Sequence, residues 1–293
     1  MSSNPSFDVL SRISRKLTFL PRGKIGIALN NLIGDIEHHP VKTFRANNGL
    51  IYMSDLRSYT ENYVPWTGEY EGATLERVLK LVPKDKNVLD IGANVGYWTI
   101  NLANQLESGN KVYAFEPIPS NFARIEQLCR LNNLESKTQI YNFGLSNEKG
   151  SFGFVNNAGD NARQASTFNA RITPDKGGDI EVRKFDDVVA SENIKDIGFI
   201  KIDVEGFEIR FLQGAEKFFA KHRPIIYGEF EPKDMRINND DPELLFDFFP
   251  EYTFYQETSD RGFVKLTGKT YQRDILLVPN ELVGDLESKI LAS

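Results

Sequence analysis

The sequence VLDIGANVGY at residues 88–97 decides the fold class. Its first half is short and mainly apolar, as a buried β-strand is, and the chain after it reads as a helix to about residue 105. Gly92 and Gly96 allow a tight turn between the two and let a ligand approach the backbone, which a Cβ atom would block. In a doubly wound sheet this turn lies beyond the carboxyl ends of the strands. The motif therefore predicts a ligand site.

Strand and helix patterns alternate around this motif. The strand patterns after it lie at residues 111–115, 139–143, 197–202 and 224–230. Helix patterns lie at residues 73–81, 120–132 and 208–220. Such alternation is typical of βαβ units with a mostly parallel sheet. Strand patterns with short links at 252–256, 262–266 and 274–278 then predict an antiparallel pair at the end of the sheet. We expect a doubly wound α/β fold.

The first 67 residues have a different character. Residues up to about 35 are locally basic, and residues 41–55 predict a β-hairpin that turns at Asn47-Asn48-Gly49. We therefore expect an N-terminal appendage of helix and hairpin at residues 1–67 and a Rossmann-like domain at residues 68–293. The basic arm has two interpretations: it packs across the main domain, which we favour, or it makes a peripheral membrane contact.

Composition excludes several classes of protein. With Lys+Arg 35 and Asp+Glu 41, the net charge of −6 argues against nucleic acid as a partner. A single cysteine, Cys129, cannot form an internal disulfide and fits a reducing compartment. Neither a secretory signal nor an apolar run of roughly 18 residues is visible. Three histidines leave little room for a histidine-built zinc site. We expect a cytoplasmic protein.

Two cofactors share the geometry of the turn. Glu116 follows the second strand, and a carboxylate there can accept both hydroxyls of a ribose. A nicotinamide dinucleotide would favour G-x-G-x-x-G, whereas only the spacing of Gly92 and Gly96 is present. S-adenosylmethionine instead needs room for its methionine part and an acidic residue at the strand end, where Asp90 lies. A nicotinamide-dependent oxidoreductase stays as the weaker alternative.

Four motifs together resemble one family. DIGANVG at 90–96, FEPIPSN at 115–121, GLS at 144–146 and KIDVEG at 201–206 occur in the order found in the FkbM-type methyltransferases. The resemblance extends from about residue 68 to 232. It implies a class I, Rossmann-like methyltransferase that uses S-adenosylmethionine and acts on a sugar, a glycolipid or another natural-product scaffold.

The motifs supply candidate cofactor-binding residues. These are Asp90, Gly92, Ala93, Asn94, Gly96, Tyr97, Glu116, Pro117, Asn121, Gly144, Leu145, Ser146 and Glu205. They follow the first, second, third and fourth strands of the predicted Rossmann-like domain, so they should meet at one edge of the sheet.

Charged residues at the ends of two later strands predict the acceptor site. Alternation along a strand places Lys201, Asp203 and Glu205 on one side, and charges at the end of an apolar strand cost free energy unless they are paired or used. Glu229 and Glu231 leave the next strand. We expect Asp203 or Glu229 to act as base for a hydroxyl, with Lys201 beside them. A Mg²⁺ ion held by these carboxylates is a second interpretation; the metal-free site is favoured.

The sequence leaves the acceptor open. A small molecule, a glycan and a peptide are all compatible with the motifs, and N-methylation of a peptide amide is the main alternative to O-methylation. A non-catalytic module that only binds the cofactor is a third interpretation. The oligomeric state is also open, a homodimer included.

Overall fold

The computed structural model describes residues 5–16, 40–58, 60–156, 170–176, 178, 180–258 and 262–291. The strands are β1 Val41–Arg45, β2 Ile51–Asp55, β3 Asn87–Ile91, β4 Val112–Phe115, β5 Thr138–Tyr141, β6 Gly144–Ser146, β7 Gly150–Asn156, β8 Ala170–Lys176, β9 Ile180–Lys184, β10 Ile197–Ile202, β11 Ile225–Glu229, β12 Tyr252–Glu257, β13 Phe263–Lys265 and β14 Asp274–Pro279. The α-helices are α1 Pro5–Lys16, α2 Val64–Thr67, α3 Gly72–Leu79, α4 Tyr97–Gln105, α5 Pro119–Leu131, α6 Phe185–Glu192, α7 Glu208–Gly214, α8 Glu216–Phe219, α9 Pro232–Ile237, α10 Leu244–Phe248 and α11 Val283–Leu291.

The main sheet has eight strands in the order β5-β4-β3-β10-β11-β14-β12-β13. The first five are parallel to one another, and β14, β12 and β13 each pair antiparallel with a neighbour. The doubly wound fold is therefore confirmed, and its antiparallel end has three strands. Because the chain goes outward from β3 to β5 and then returns to β10 on the other side of β3, the strand order reverses between β3 and β10. Ligands bind at such a reversal point.

A second sheet has the order β6-β9-β7-β8 and changes one sequence expectation. The predicted strand at 139–143 ends at Tyr141 in the main sheet, and Gly144–Ser146 instead pairs parallel with β9. The side-chain amide of Asn142 donates to the carbonyls of Glu116 and Pro117, at 2.9 and 3.0 Å. This anchor fixes the point at which the chain leaves the main sheet.

The hairpin predicted before residue 68 is present. β1 and β2 pair antiparallel, and Gly49 takes the left-handed conformation at φ +85°. The Tyr52 ring stacks on that of Tyr97 at 4.8 Å, so the hairpin covers the start of α4. The remainder of the basic arm, residues 17–39, lies outside the described residues, and the boundary at residues 67 and 68 stays a prediction.

The core lies on both faces of the main sheet. Alternation along β3 sends Val88 to one apolar cluster and Leu89 to the other, and along β10 it separates Phe199 from Ile200 in the same way. Helices α4 and α5 contribute to the first cluster, and α6, α7 and α10 to the second. In the part of the chain that the structure describes, no helix is long and apolar enough to cross a bilayer.

Candidate functional site

The turn after β3 is built on a close backbone contact. Gly92 has φ +75°, and a Cβ atom there would lie 1.8 Å from the carbonyl oxygen of Asp203. The amides of Gly92 and Ala93 both donate to the carbonyl of Phe115 at 3.0 Å. Gly96 has φ +89°, and a Cβ there would lie 3.0 Å from the side chain of Ile125. Glycine is therefore required at residue 92 for both conformation and space.

Glu116 joins the two sides of the cleft that this turn opens. One of its carboxylate oxygens accepts from the amide of Asn94 at 2.7 Å and the other from the amide of Ile118 at 2.9 Å. The side-chain amide of Asn121 donates to Asn94 Oδ1 at 3.2 Å. Burial raises the pKa of Glu116 to about 7, and the two amides oppose that increase. The Asn121 amide also lies 3.5 Å from Oε1, the oxygen that accepts from Ile118. The other oxygen, Oε2, therefore keeps a free acceptor position and can still accept a hydroxyl group.

Eight of the predicted cofactor residues line this cleft. They are Gly92, Asn94, Glu116, Pro117, Asn121, Gly144, Leu145 and Glu205. Asp203, predicted for catalysis, lines it as well. The remaining walls are apolar and were missed from the sequence: Ile91, Phe115, Ile118, Val182, Val204 and Phe207. Val182 comes from the small sheet, and no motif spacing signals its approach.

Five predicted cofactor residues do not line the cleft: Asp90, Ala93, Gly96, Tyr97 and Ser146. The Tyr97 hydroxyl donates to the carbonyl of Met53 at 2.6 Å, so its side chain holds the hairpin. Ser146 is fully buried, with its hydroxyl 3.3 Å from Asn147 Oδ1. Ala93 and Gly96 shape the turn through their backbones.

Asp90 lies under the turn, and Lys201 connects it to Asp203. Asp90 Oδ2 accepts from the Thr99 hydroxyl at 2.6 Å, while the buried Oδ1 has no hydrogen-bond partner among the described residues. Lys201 is 4% exposed, and its Nζ lies 3.1 Å from the carbonyl of Gly92, 3.2 Å from Asp203 Oδ2 and 3.9 Å from Asp90 Oδ1. One buried cation therefore links the turn to the predicted base.

Further carboxylates surround Asp203 on the side of β11. Burial raises the pKa of Glu229 to about 9, with the charge of Asp203 adding to the effect; Arg273, at 2.5 Å from its Oε1, opposes it. Burial likewise raises the pKa of Asp274 to about 7. The pKa of Glu71 is raised by burial too, although Lys201 opposes this, and the carboxylate accepts from the Trp98 indole at 3.0 Å.

Glu71, Arg273 and Asp274 were not predicted. They precede or follow the recognised motifs and reach Asp203 only through the fold. Pairing of Glu229 with Asp274 across β11 and β14 brings the last two to the site.

The carboxylates do not form a metal site in the part of the chain described. No group of three His, Cys, Asp or Glu side chains there could hold a metal ion. Glu231 immediately precedes α9 as its N-cap, and its carboxylate accepts from the amide of Lys233 at 3.1 Å. The structure therefore gives no support to the Mg²⁺ interpretation.

Comparison with known proteins agrees with the geometry. Residues 90–257, more than half of the chain, match the family described as Methyltransferase FkbM domain. Methyltransferase sdnD of Sordaria araneosa is 25% identical over 183 residues, covering 53% of this chain and 70% of that protein. The 31-O-demethyl-FK506 methyltransferase FkbM of Streptomyces tacrolimicus is 31% identical over 172 residues, covering 48% of this chain and 64% of that protein.

A solved structure is also similar. The methyltransferase FkbM from Methylobacillus flagellatus KT aligns with a TM-score of 0.45 and 18% identity, over 75% of this chain and 53% of that one. The family match overturns the nicotinamide-dependent alternative, because the family is one of methyltransferases. The chain belongs to the FkbM family of S-adenosylmethionine-dependent methyltransferases.

Proposed function

We propose that this protein transfers a methyl group from S-adenosylmethionine to a hydroxyl group of a sugar, a glycolipid or another polyhydroxylated scaffold. The observation that carries the proposal is the position of Asp203. It lines the cofactor cleft, contacts Lys201, and adds its charge to those of Glu71, Glu229 and Asp274. A base at that position faces donor and acceptor together.

The residues of the cleft suit the parts of the cofactor. The Glu116 carboxylate can accept a ribose hydroxyl through Oε2, and the apolar side chains of Ile118, Leu145 and Val182 offer a wall for the adenine ring. When bound, the cofactor supplies a methyl group activated on a sulfonium, so the protein has to align the acceptor and remove its proton.

The geometry favours Asp203 over Glu229 as the base. With a pKa of about 9, Glu229 is mainly protonated near pH 7 and cannot then accept a proton. Its neutral carboxyl can instead donate a hydrogen bond to the acceptor. The Asp203 side chain is 29% exposed and anchored by Lys201 at 3.2 Å, which aims one oxygen at the cation and leaves the other for the acceptor hydroxyl.

The surroundings of Asp203 favour an acceptor with several hydroxyl groups. Carboxylate oxygens accept hydrogen bonds from hydroxyl groups, and Glu71, Glu229 and Asp274 each interact electrostatically with Asp203. A relative named for 31-O-demethyl-FK506 supports an oxygen acceptor. Small molecules are the partner class of the family, and a glycan or natural-product scaffold is our proposal within it.

The test has two stages. S-adenosylhomocysteine is first titrated calorimetrically into the wild type and Glu116→Ala; we expect micromolar binding that the variant loses. Transfer of a radiolabelled methyl group from S-adenosylmethionine to a panel of sugars, glycolipids and peptides is then followed for the wild type and Asp203→Asn. Turnover lost with binding retained supports Asp203 as base. Undiminished turnover in Asp203→Asn, or transfer to peptides alone, contradicts the proposal.

A further inference from the structure

The loop between β10 and α7, residues 203–207, forms one wall of the cleft. Asp203, Val204, Glu205 and Phe207 all line it. Two consecutive residues have left-handed backbone conformations, Glu205 at φ +53° and Gly206 at φ +93°. The first of these is uncommon for a residue with a Cβ atom, so neighbouring contacts have to hold the loop in this form.

Glu208 holds the loop from the start of α7. Its side chain is 1% exposed. One carboxylate oxygen accepts from the amide of Gly206 at 3.0 Å and from the amide of Val204 at 3.3 Å. Burial raises the pKa of Glu208 to about 8, and its bonds to backbone amides oppose that increase. The second carboxylate oxygen is buried without a hydrogen-bond partner among the described residues, so the side-chain hydrogen bonds from Glu208 to other described residues go to the loop.

Asn238 holds the same loop from the opposite side, at the end of α9. Its amide donates to the carbonyl of Gly206 at 3.0 Å. Arg210 in turn donates to the carbonyl of Asn238 at 2.8 Å, and its guanidinium lies 5.1 Å from the ring centroid of Phe207. Gly206 therefore donates its N–H to Glu208 and accepts from Asn238 at its C=O group. The loop therefore has one defined geometry.

We propose that Glu208 is a positioning residue for methyl transfer: it fixes residues 203–207, with Asn238 as its counterpart, so that Asp203 and the cleft wall keep their geometry. The inference rests on the proposed function, because it assigns a purpose to the position of Asp203. Glu208 touches neither substrate nor cofactor in this role; it acts through the Val204 and Gly206 amides.

The test compares Glu208→Ala, Glu208→Gln and Glu216→Ala, the last a matched control because Glu216 is an exposed glutamate at the start of α8. Hydrogen exchange of the Val204 and Gly206 amides is measured with kcat/KM for the cofactor. In Glu208→Ala we expect exchange at least about tenfold faster at these amides and kcat/KM lower by on the order of 10², as for a small misplacement of reacting groups. Glu208→Gln keeps an acceptor oxygen, so its exchange rates and its kcat/KM should be close to those of the wild type. Glu216→Ala should change neither the exchange rates nor kcat/KM.

Unchanged exchange at Val204 and Gly206 in a folded Glu208→Ala variant would overturn the inference, as would equal losses in the Gln and Ala variants. Hydrogen exchange reports on the loop and does not require turnover. If the wild type failed to bind S-adenosylhomocysteine, the proposed function would be refuted, but the contact between Glu208 and the loop could still be measured. If Glu208→Ala does not fold, Asn238→Ala tests the other contact, and faster exchange of residues 203–207 is again the expected result. No change in that variant would count against the inference.

Discussion

The pH dependence of cofactor binding tests the role of Glu116. Its pKa is raised to about 7, so in the free protein the ionised fraction rises from about a tenth at pH 6 to about nine tenths at pH 8. The carboxylate can accept a ribose hydroxyl through Oε2, whereas protonation can turn that oxygen into a donor. Binding of S-adenosylhomocysteine should therefore be about tenfold weaker at pH 6 than at pH 8, and nearly constant above pH 8.

Glu116→Gln isolates this effect from other groups that titrate nearby. The substitution keeps the shape and one acceptor oxygen but replaces hydrogen bonds to a charge by neutral ones, a loss of about 1–2 kcal/mol or roughly 5- to 30-fold in affinity at pH 8. The assay is calorimetry at pH 6, 7 and 8, with Glu135→Gln as the exposed control. Equal wild-type affinity at pH 6 and pH 8, or the same slope in Glu116→Gln, would refute the reasoning.

Three further predictions concern other parts of the molecule. Gly92→Ala should abolish S-adenosylhomocysteine binding and lower the melting temperature more than Gly109→Ala does, since Gly109 has a similar φ of +96° but open space around it. Calorimetry and thermal unfolding measure the two effects. Equal effects of the two substitutions would contradict this prediction. The wild-type kcat/KM for the acceptor should fall as pH rises through about 9, because ionisation of Glu229 removes a hydrogen-bond donor. In Glu229→Gln, kcat/KM should not change over this pH range. A rise in the wild-type kcat/KM would instead mark Glu229 as the base. Arg124→Met leaves the buried Glu61 without its cation, so urea unfolding should show a loss of about 3–5 kcal/mol; a loss under about 1 kcal/mol would show that the pair is not needed.

The parallel part of the fold was predictable because its signals are local. Apolar runs of strand length, separated by helical periodicity and glycine turns, give the strands and their direction without knowledge of distant contacts. The division near residue 142 was not predictable in this way. The chain leaves the main sheet there because the Asn142 amide binds two carbonyls 25 and 26 residues earlier, and pattern alone does not show which partner an amide takes.

The lining of the cleft was predictable where residues follow a strand directly, as Glu116 and Asp203 do. Tyr97 shows the limit of that reasoning: it follows the turn in sequence, yet its ring lies against the hairpin, because α4 presents this side chain away from the cleft. Glu71 and Asp274 illustrate the opposite case, in which residues come close to Asp203 although the sequence did not indicate it. They reach Asp203 through helix and strand packing, which sequence spacing does not encode.

The distribution of the site along the chain has an evolutionary consequence. Among the described residues, all that line the cleft lie within residues 90–257, the region shared with the family, whereas Glu71 precedes that region and Arg273 and Asp274 follow it. The proposed acceptor site therefore combines Asp203 and Glu229 from the shared segment with residues from both flanks. Exchange of the segments around residues 60–72 and 262–279 between relatives is accordingly a rational route to new acceptor specificity, with the donor machinery inherited intact.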